Sequence, residues 1–306
     1  MTVTVFGSVN LDLTVYVDAL PRPGETIHAR RQISGLGGKG ANQAVAARKL
    51  SAGSVTLLAA TGGDAFGQTL REALAGHGLP LDQVVVFKDQ PSGSALIHVD
   101  SNSQNTITVV GGANMAWPEE GPDPSAFEGV GVALFQLETP VGATTSAMRS
   151  AREAGATVIL DPAPIRADGI GLLLNAADIV TPNETEAAAL VGKAIDTNET
   201  ALKAAHTLCG MGPGAAVVKM GGKGLVFATG EGIAGVIPAF AVTPVDTVAA
   251  GDCFNGALAV ALDEGRPLPD ALRFAAAAGA LATTRYGASE AAPGRFEVDS
   301  LFQPSS

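Results

Sequence analysis

The chain has 306 residues, 46% apolar and 16% charged, with a formal charge of −11. That length suits one large α/β domain or two smaller ones, and no lysine or arginine run offers the positive surface that nucleic acid or an anionic membrane needs. The cysteines Cys209 and Cys253 lack metal-ligand spacing, no signal-peptide pattern opens the chain, and no apolar run has membrane-spanning length, so a soluble cytoplasmic protein is expected.

In chain order, residues 2–7 read as a buried strand and 42–50 as a helix after a glycine-rich turn. Strands are expected at 55–60 and 84–87, with a helix at 66–76 between them. A strand at 130–137, a helix at 142–154 and strands at 157–160 and 179–180 follow. Helices at 184–191 and 199–209 lead to strands at 215–219 and 225–228, and helices at 251–262 and 268–284 complete the reading. Short apolar strands alternating with helices imply a parallel sheet covered on both faces.

Two segments, about 10–33 and 94–112, break that rhythm and read as half-exposed strands inserted into the α/β succession. In the first, Val9, Leu11, Leu13, Val15 and Val17 alternate with Asn10, Asp12, Thr14 and Tyr16. In the second, residues 95–99 and 106–110 flank the polar turn Asp100-Ser-Asn-Ser-Gln-Asn105 in hairpin fashion. Such strands suit a small projecting sheet, a candidate lid. One domain over 1–306 is expected, since no internal repeat or separating linker is visible.

Gly35-Leu-Gly37-Gly-Lys-Gly40 matches G-x-G-x-x-G and opens a helix. A strand-like excursion separates it from the first strand, and the strand after its helix ends Leu57-Leu-Ala-Ala60, with no acid for a ribose hydroxyl. Lys39 is followed by Gly40 rather than Ser or Thr, so the run is not a P-loop. It is either a helix-capping turn or a place of close backbone approach. With the Lys39 cation and the Asn42 amide it suits a polyhydroxylated ligand. Asn10 and Asp12 share one strand face, either as a wet polar face or as a two-pronged grip on sugar hydroxyls. Glu138 and Asp161 end strands, where ligands of open parallel sheets gather, although turns place polar residues there too.

Thr181-Pro-Asn183-Glu-Thr-Glu186 reads as a helix cap, or as carboxylates that hold water around Mg²⁺. Lys219-Met-Gly221-Gly-Lys-Gly224 is a tight turn between strands that also permits backbone contact with nucleotide phosphates. The run Asp246-Thr-Val-Ala-Ala-Gly-Asp252-Cys-Phe-Asn-Gly256 says most. Ala249-Ala250-Gly251 leads into a helix with an apolar face at Phe254, Ala257, Leu258 and Ala261, and its free amides suit phosphate oxygens. Asp252 in that first turn is a stabilising acid in the bland reading. An anion hole beside a carboxylate is what phosphoryl transfer to an alcohol requires.

Taken together, Gly7-Ser-Val-Asn-Leu-Asp12, Gly37-Gly-Lys-Gly-Ala-Asn-Gln43, Gln136-Leu-Glu138, Pro182-Asn-Glu-Thr-Glu186 and 246–256 occur in the order found in the ribokinase-like family of carbohydrate kinases, which the chain resembles over nearly its whole length. The resemblance implies an α/β three-layer sandwich with a mainly parallel central sheet and a small inserted β-sheet lid that forms a homodimer contact. It implies transfer of phosphate from ATP, with Mg²⁺, to the 5-hydroxyl of D-ribose. Asn10, Asp12, Gly38, Lys39, Asn42 and Glu138 would then bind the sugar. Asp252 would take its proton, with the amides of Ala249, Ala250 and Gly251 as anion hole. Asn183, Lys219, Gly221, Gly222, Lys223, Gly224, Gly251 and Ala276 would meet ATP, and Glu186 would organise Mg²⁺. A K⁺ or other monovalent-cation site would fall on Asp246, Val248, Ala282, Arg285, Gly287 and Ala291, mostly through carbonyls. Ala291 stands where the family often has serine, and Cys253 where it often has threonine. A sister kinase with another acceptor, or a non-catalytic sugar- or nucleotide-binding protein on this scaffold, is the alternative expectation.

Overall fold

The computed structural model describes residues 2–102, 104–165 and 168–302. The chain runs β1 (Thr2–Phe6), β2 (Asn10–Tyr16), β3 (Arg31–Gly37), α1 (Lys39–Leu50), β4 (Ser54–Gly62), α2 (Ala65–Gly76) and β5 (Val84–Phe87). It continues through β6 (Gly93–Val99), β7 (Asn105–Val110), β8 (Val132–Phe135), α3 (Val141–Glu153), β9 (Thr157–Leu160), α4 (Ile170–Ala176) and β10 (Ile179–Val180). Then come α5 (Glu184–Val191), α6 (Asn198–Cys209), β11 (Ala215–Lys219), β12 (Leu225–Thr229), β13 (Ala234–Ile237), α7 (Ala250–Asp263), α8 (Leu268–Ala282) and α9 (Arg295–Phe302).

Alternation along the strands builds the layers. Val3, Val5, Val132, Leu134, Ile159 and Val217 point to one face, into a core shared with α1, α2, α7, α8 and α9. Phe6, Ala133, Phe135, Val158, Leu160 and Val218 point to the other, into a core shared with α3 to α6. Apolar side chains on both faces are what a parallel sheet needs, and the result is a three-layer sandwich. The sheet order is β13-β12-β11-β10-β9-β8-β1-β4-β5. It is parallel from β11 to β5, and β12 and β13 add an antiparallel edge. The carboxyl ends of β8, β9, β10 and β11 therefore share one rim, where Glu138, Asp161, Asn183 and Lys219 fall. Among the described residues no helix is long and apolar enough to cross a membrane.

The second sheet has the order β3-β2-β6-β7 and contains both inserted segments. The first differs from its expected bounds. Residues 17–30 form no strand, because the alternation stops at Val17 and Pro21, Pro23 and Gly24 follow; β3 then runs on to Gly37, past the expected limit of 33. The second hairpin forms as read, and Ser103 of its turn lies outside the described residues. Helix α1 begins at Lys39 rather than 42, and α8 ends at Ala282 rather than 284. The sequence reading contained no counterpart of β13, α4 or α9.

Candidate active site

Helix α7 presents Asp252 because of how the chain enters it. Ala249, the residue before the first turn, has φ 56°, and among the described residues it is the one non-glycine with positive φ. A non-glycine there costs roughly 1–3 kcal/mol and is held only by its surroundings, a pattern that gathers at functional sites. Behind it, the N–H groups of Gly251 and Asp252 fall in the helical turn that has no i−4 acceptor. The third amide is less open: Ala250 N–H makes a long 3.3 Å bond to the Thr247 carbonyl.

The carboxylate of Asp252 is 5% exposed and is gripped from α1. Asn42 Nδ2 donates to Oδ2 at 3.0 Å and Gln43 Nε2 to Oδ1 at 3.1 Å. Burial raises the pKa of Asp252, and the negative charge of Asp161 raises it further. The Lys39 ammonium and the two amide donors pull the other way. The net shift is upward, which makes this carboxylate a better proton acceptor than an ordinary one. Asn42 Oδ1 is buried with no hydrogen-bond partner, an open acceptor beside the base.

Lid strand β2 meets this group from the other side. Asn10 is buried, and its Oδ1 accepts from Asn114 Nδ2 at 2.8 Å. Asp12 lies opposite Gly35, with Asn10 opposite Gly37. A Cβ on Gly37 would collide with the Asp12 carboxylate, so the glycine run serves close packing of a strand on this acid. Gly38, at φ 86°, then turns β3 into α1, and a Cβ there would meet the backbone of Asn10 and Ser8. Glu138 accepts from Ser8 Oγ and, at 3.1 Å, from Lys39 N–H. Burial and the charges of Glu138, Glu290 and Asp252 push the Asp12 carboxyl up to about 7. Burial opposes the charge of Lys39, but Asp252, Asp161, Glu138 and Glu186 together hold its pKa above the ordinary value.

From Asp252 a cleft of about 1020 Å³ opens away from the lid sheet's acids. Asn183, Glu186, Lys219, Gly221, Gly222 and Gly224 line it, as do Ala249 to Asp252 and Ala276. Gly221, at φ 52°, and Gly222 would direct a Cβ into open space, as a turn that admits a ligand's oxygens requires. Lys223 is not on this wall; its ammonium donates to the Asp196 carbonyl at 2.7 Å. Asn183 and Glu186 form a reciprocal cap on α5, so the bland reading of that motif holds geometrically. Glu186 nonetheless borders the cleft, buried, with its pKa raised by that burial and by Asp161.

Beneath α7 two loops are tied by Asp246, which accepts from Val248 N–H at 3.0 Å and Gly287 N–H at 3.3 Å. Arg285 pairs with Glu297, and Ala291 is buried. Lys49 donates to the carbonyls of Ser289, Glu290 and Ala292, so this loop already turns oxygens toward one cation. Among the described residues no group of three or more His, Cys, Asp or Glu is placed to hold a metal.

Sequence reasoning missed Ser8, Gln43, Asn114 and Gln136 as site residues. Each is buried and polar, which is the signal that could have found them, but their partners lie 93 to 209 residues away or on another element.

A model of the pfkB family of carbohydrate kinases matches residues 2–295. The chain is 37% identical over 301 residues to ribokinase of Haemophilus influenzae, covering 97% of each. It is 34% identical over 295 residues to deoxyribokinase of Salmonella typhi, covering 96% of each. The structure of Arabidopsis thaliana ribokinase complexed with ribose and ATP is 36% identical and matches with a TM-score of 0.93 over 99% of both chains.

Proposed function

The chain belongs to the pfkB family of carbohydrate kinases, and we propose that it transfers the γ-phosphoryl group of ATP to the 5-hydroxyl of D-ribose. The observation that carries this reading is the buried Asp252 carboxylate, held by Asn42 and Gln43 in the first turn of α7 between the lid acids and the nucleotide-sized cleft. Asp252 takes the hydroxyl proton, while the N–H groups of α7's first turn, with Gly251 foremost, receive the oxygens of the transferring phosphate. Asn10, Asp12, Gly38, Lys39, Asn42 and Glu138 bind the sugar. The Gly221–Gly224 turn, Asn183 and Ala276 bind ATP. Lys223 contributes its backbone, since its side chain is engaged elsewhere.

Mg²⁺ suits this cleft, because that ion keeps several waters and needs only one or two carboxylates beside the nucleotide's phosphates. Glu186 fits, since one oxygen is committed to its cap and the side chain borders the cleft. When bound, the ion supplies neutralisation of phosphate charge. A monovalent cation is held at Asp246, Val248, Ala282, Arg285, Gly287 and Ala291, mostly through carbonyls, in a loop pair that Asp246 ties together. The protein works in the cytoplasm as a homodimer through the lid. Ile33, Ile107 and Val109, 47%, 56% and 52% exposed, lie on the lid face that carries Asp12 and Thr14.

The likeness to a deoxyribokinase makes 2-deoxyribose the second reading of the acceptor. A coupled ADP-release assay across ribose, deoxyribose, other pentoses, hexoses and nucleosides decides. The expected result is the highest kcat/KM on ribose; a much higher value on another acceptor would overturn the ribose assignment.

A further inference from the structure

The roles above leave Asp161, the buried end of an ion pair with Lys219, unexplained. Asp161, after β9, is 1% exposed, and its Oδ1 accepts from Lys219 Nζ at 3.1 Å. Its Oδ2 accepts from Gln43 Nε2 at 3.1 Å, and the same nitrogen donates to Asp252 Oδ1. Gln43 is fully buried, and its Oε1 accepts from Gln136 Nε2 at 2.7 Å. Chemistry fixes that amide's orientation, because a flipped oxygen would face two carboxylates.

At the other end, Lys219 Nζ lies 3.4 Å from where a Cβ on Gly251 would stand, on the cleft wall beside the first turn of α7. A line of charge and hydrogen bonds therefore runs from the nucleotide cleft to the base: Lys219, Asp161, Gln43, Asp252. Buried ion pairs are weak evidence for stability, since the desolvation of both charges offsets most of their attraction. The placement of this one calls for a functional account.

We propose that Lys219, Asp161 and Gln43 are positioning residues that let the nucleotide side of the cleft set the orientation and basicity of Asp252. The proposal rests on the reading of Asp252 as the base. A phosphate arriving at Gly251 attracts Lys219 and loosens its hold on Asp161. The Asp161 carboxylate, less compensated and one shared amide away, then makes Asp252 the stronger base when the phosphoryl donor is in place. The other charged groups facing Asp252 are Lys39 from α1 and Asp12 from β2, and neither belongs to this line.

The test is the acid limb of kcat at saturating sugar and Mg·ATP, where protonation of the base shuts off turnover. Asp161→Asn removes a negative neighbour, so the limb moves to lower pH. Lys219→Met leaves Asp161 uncompensated, so the limb moves to higher pH, with kcat down roughly tenfold or more and the sugar KM little changed. The double variant restores the charge balance and brings the limb back toward the parent position. Limbs that stay at the parent position, or move in the same direction in both single variants, would overturn the relay. Should Lys219→Met not fold, Asp161→Asn against the double variant carries the same comparison. Titration of the Asp252 carboxyl carbon by NMR, assigned by its loss in Asp252→Asn, reads the same shifts without sugar turnover. A failed acceptor assignment is thereby separated from a failed relay.

Discussion

Gly256 lies where α7 crosses α1, one turn beyond Asp252 on the same helix. A Cβ at this position would stand 2.6 Å from the Gln43 carbonyl oxygen, 2.8 Å from Ala46 Cβ and 2.9 Å from Ala47 N. The crowding atoms are mostly backbone, so no side-chain rotation relieves it. Bringing that carbon to an ordinary 3.4 Å contact requires the helices to part by roughly 0.8 Å at this point. Overpacking of this kind costs about 1–3 kcal/mol, or about 2–6 °C in Tm for a chain of this size. The same displacement carries Asn42 and Gln43 away from Asp252, and shifts near 1 Å in a reacting constellation cost on the order of 10²-fold in rate. Gly256→Ala is therefore expected to melt only a few degrees lower yet lose kcat by one to two orders of magnitude. Differential scanning calorimetry and the ADP-release assay on one preparation measure both. A variant with parent Tm and parent kcat would refute the account of how α1 holds the base.

Asp12, with its carboxyl pushed up to about 7, gives two pH signatures. As an acceptor of sugar hydroxyls it must be ionised, so the sugar KM should rise as pH falls through about 7, and Asp12→Asn should flatten that dependence. For stability, the folded state binds more protons than the unfolded state between about 4 and 7, so this group makes stability fall as pH rises across that window. The Tm gain of Asp12→Asn should accordingly be larger at pH 8 than at pH 5. Glu186→Gln keeps an oxygen for the α5 cap but loses the charge, and should raise the Mg²⁺ concentration for half-maximal activity roughly tenfold without unfolding the protein, as read by a metal titration and circular dichroism.

The fold was legible where short apolar runs decide it: β9, β10 and β11 fall at their expected residues because each is a short run buried on the sheet, and β5, at the sheet edge with Val85 and Val86 exposed, falls at its expected residues too. The lid was legible in kind but not in extent. Its strand β3 carries two glycines and mostly exposed residues, a pattern that reads as a turn. Only the Asp12 carboxylate, packed where a Cβ on Gly37 would stand, explains why glycine stands there in a strand. Asn42, Lys39, Asp252 and Glu138 converge from motifs that sequence order alone could single out. Gln43 and Asp161 were visible as a motif member and a strand end, but their shared hydrogen bond spans 118 residues and depends on three elements meeting. Local pattern has no access to such a contact. The Lys223 side chain shows the converse: a motif puts it in the glycine-rich turn, whereas the attraction of the Asp196 carbonyl takes it off the cleft wall.

The central claim is that Asp252 acts as the base, and Asp252→Ala tests it most directly, with turnover by ADP release and sugar binding by calorimetry on the same protein. The expected result is a fall in kcat of about 10²–10⁴-fold with sugar affinity largely kept, since the base acts mainly in the transition state. Near-normal turnover in that variant would contradict the account.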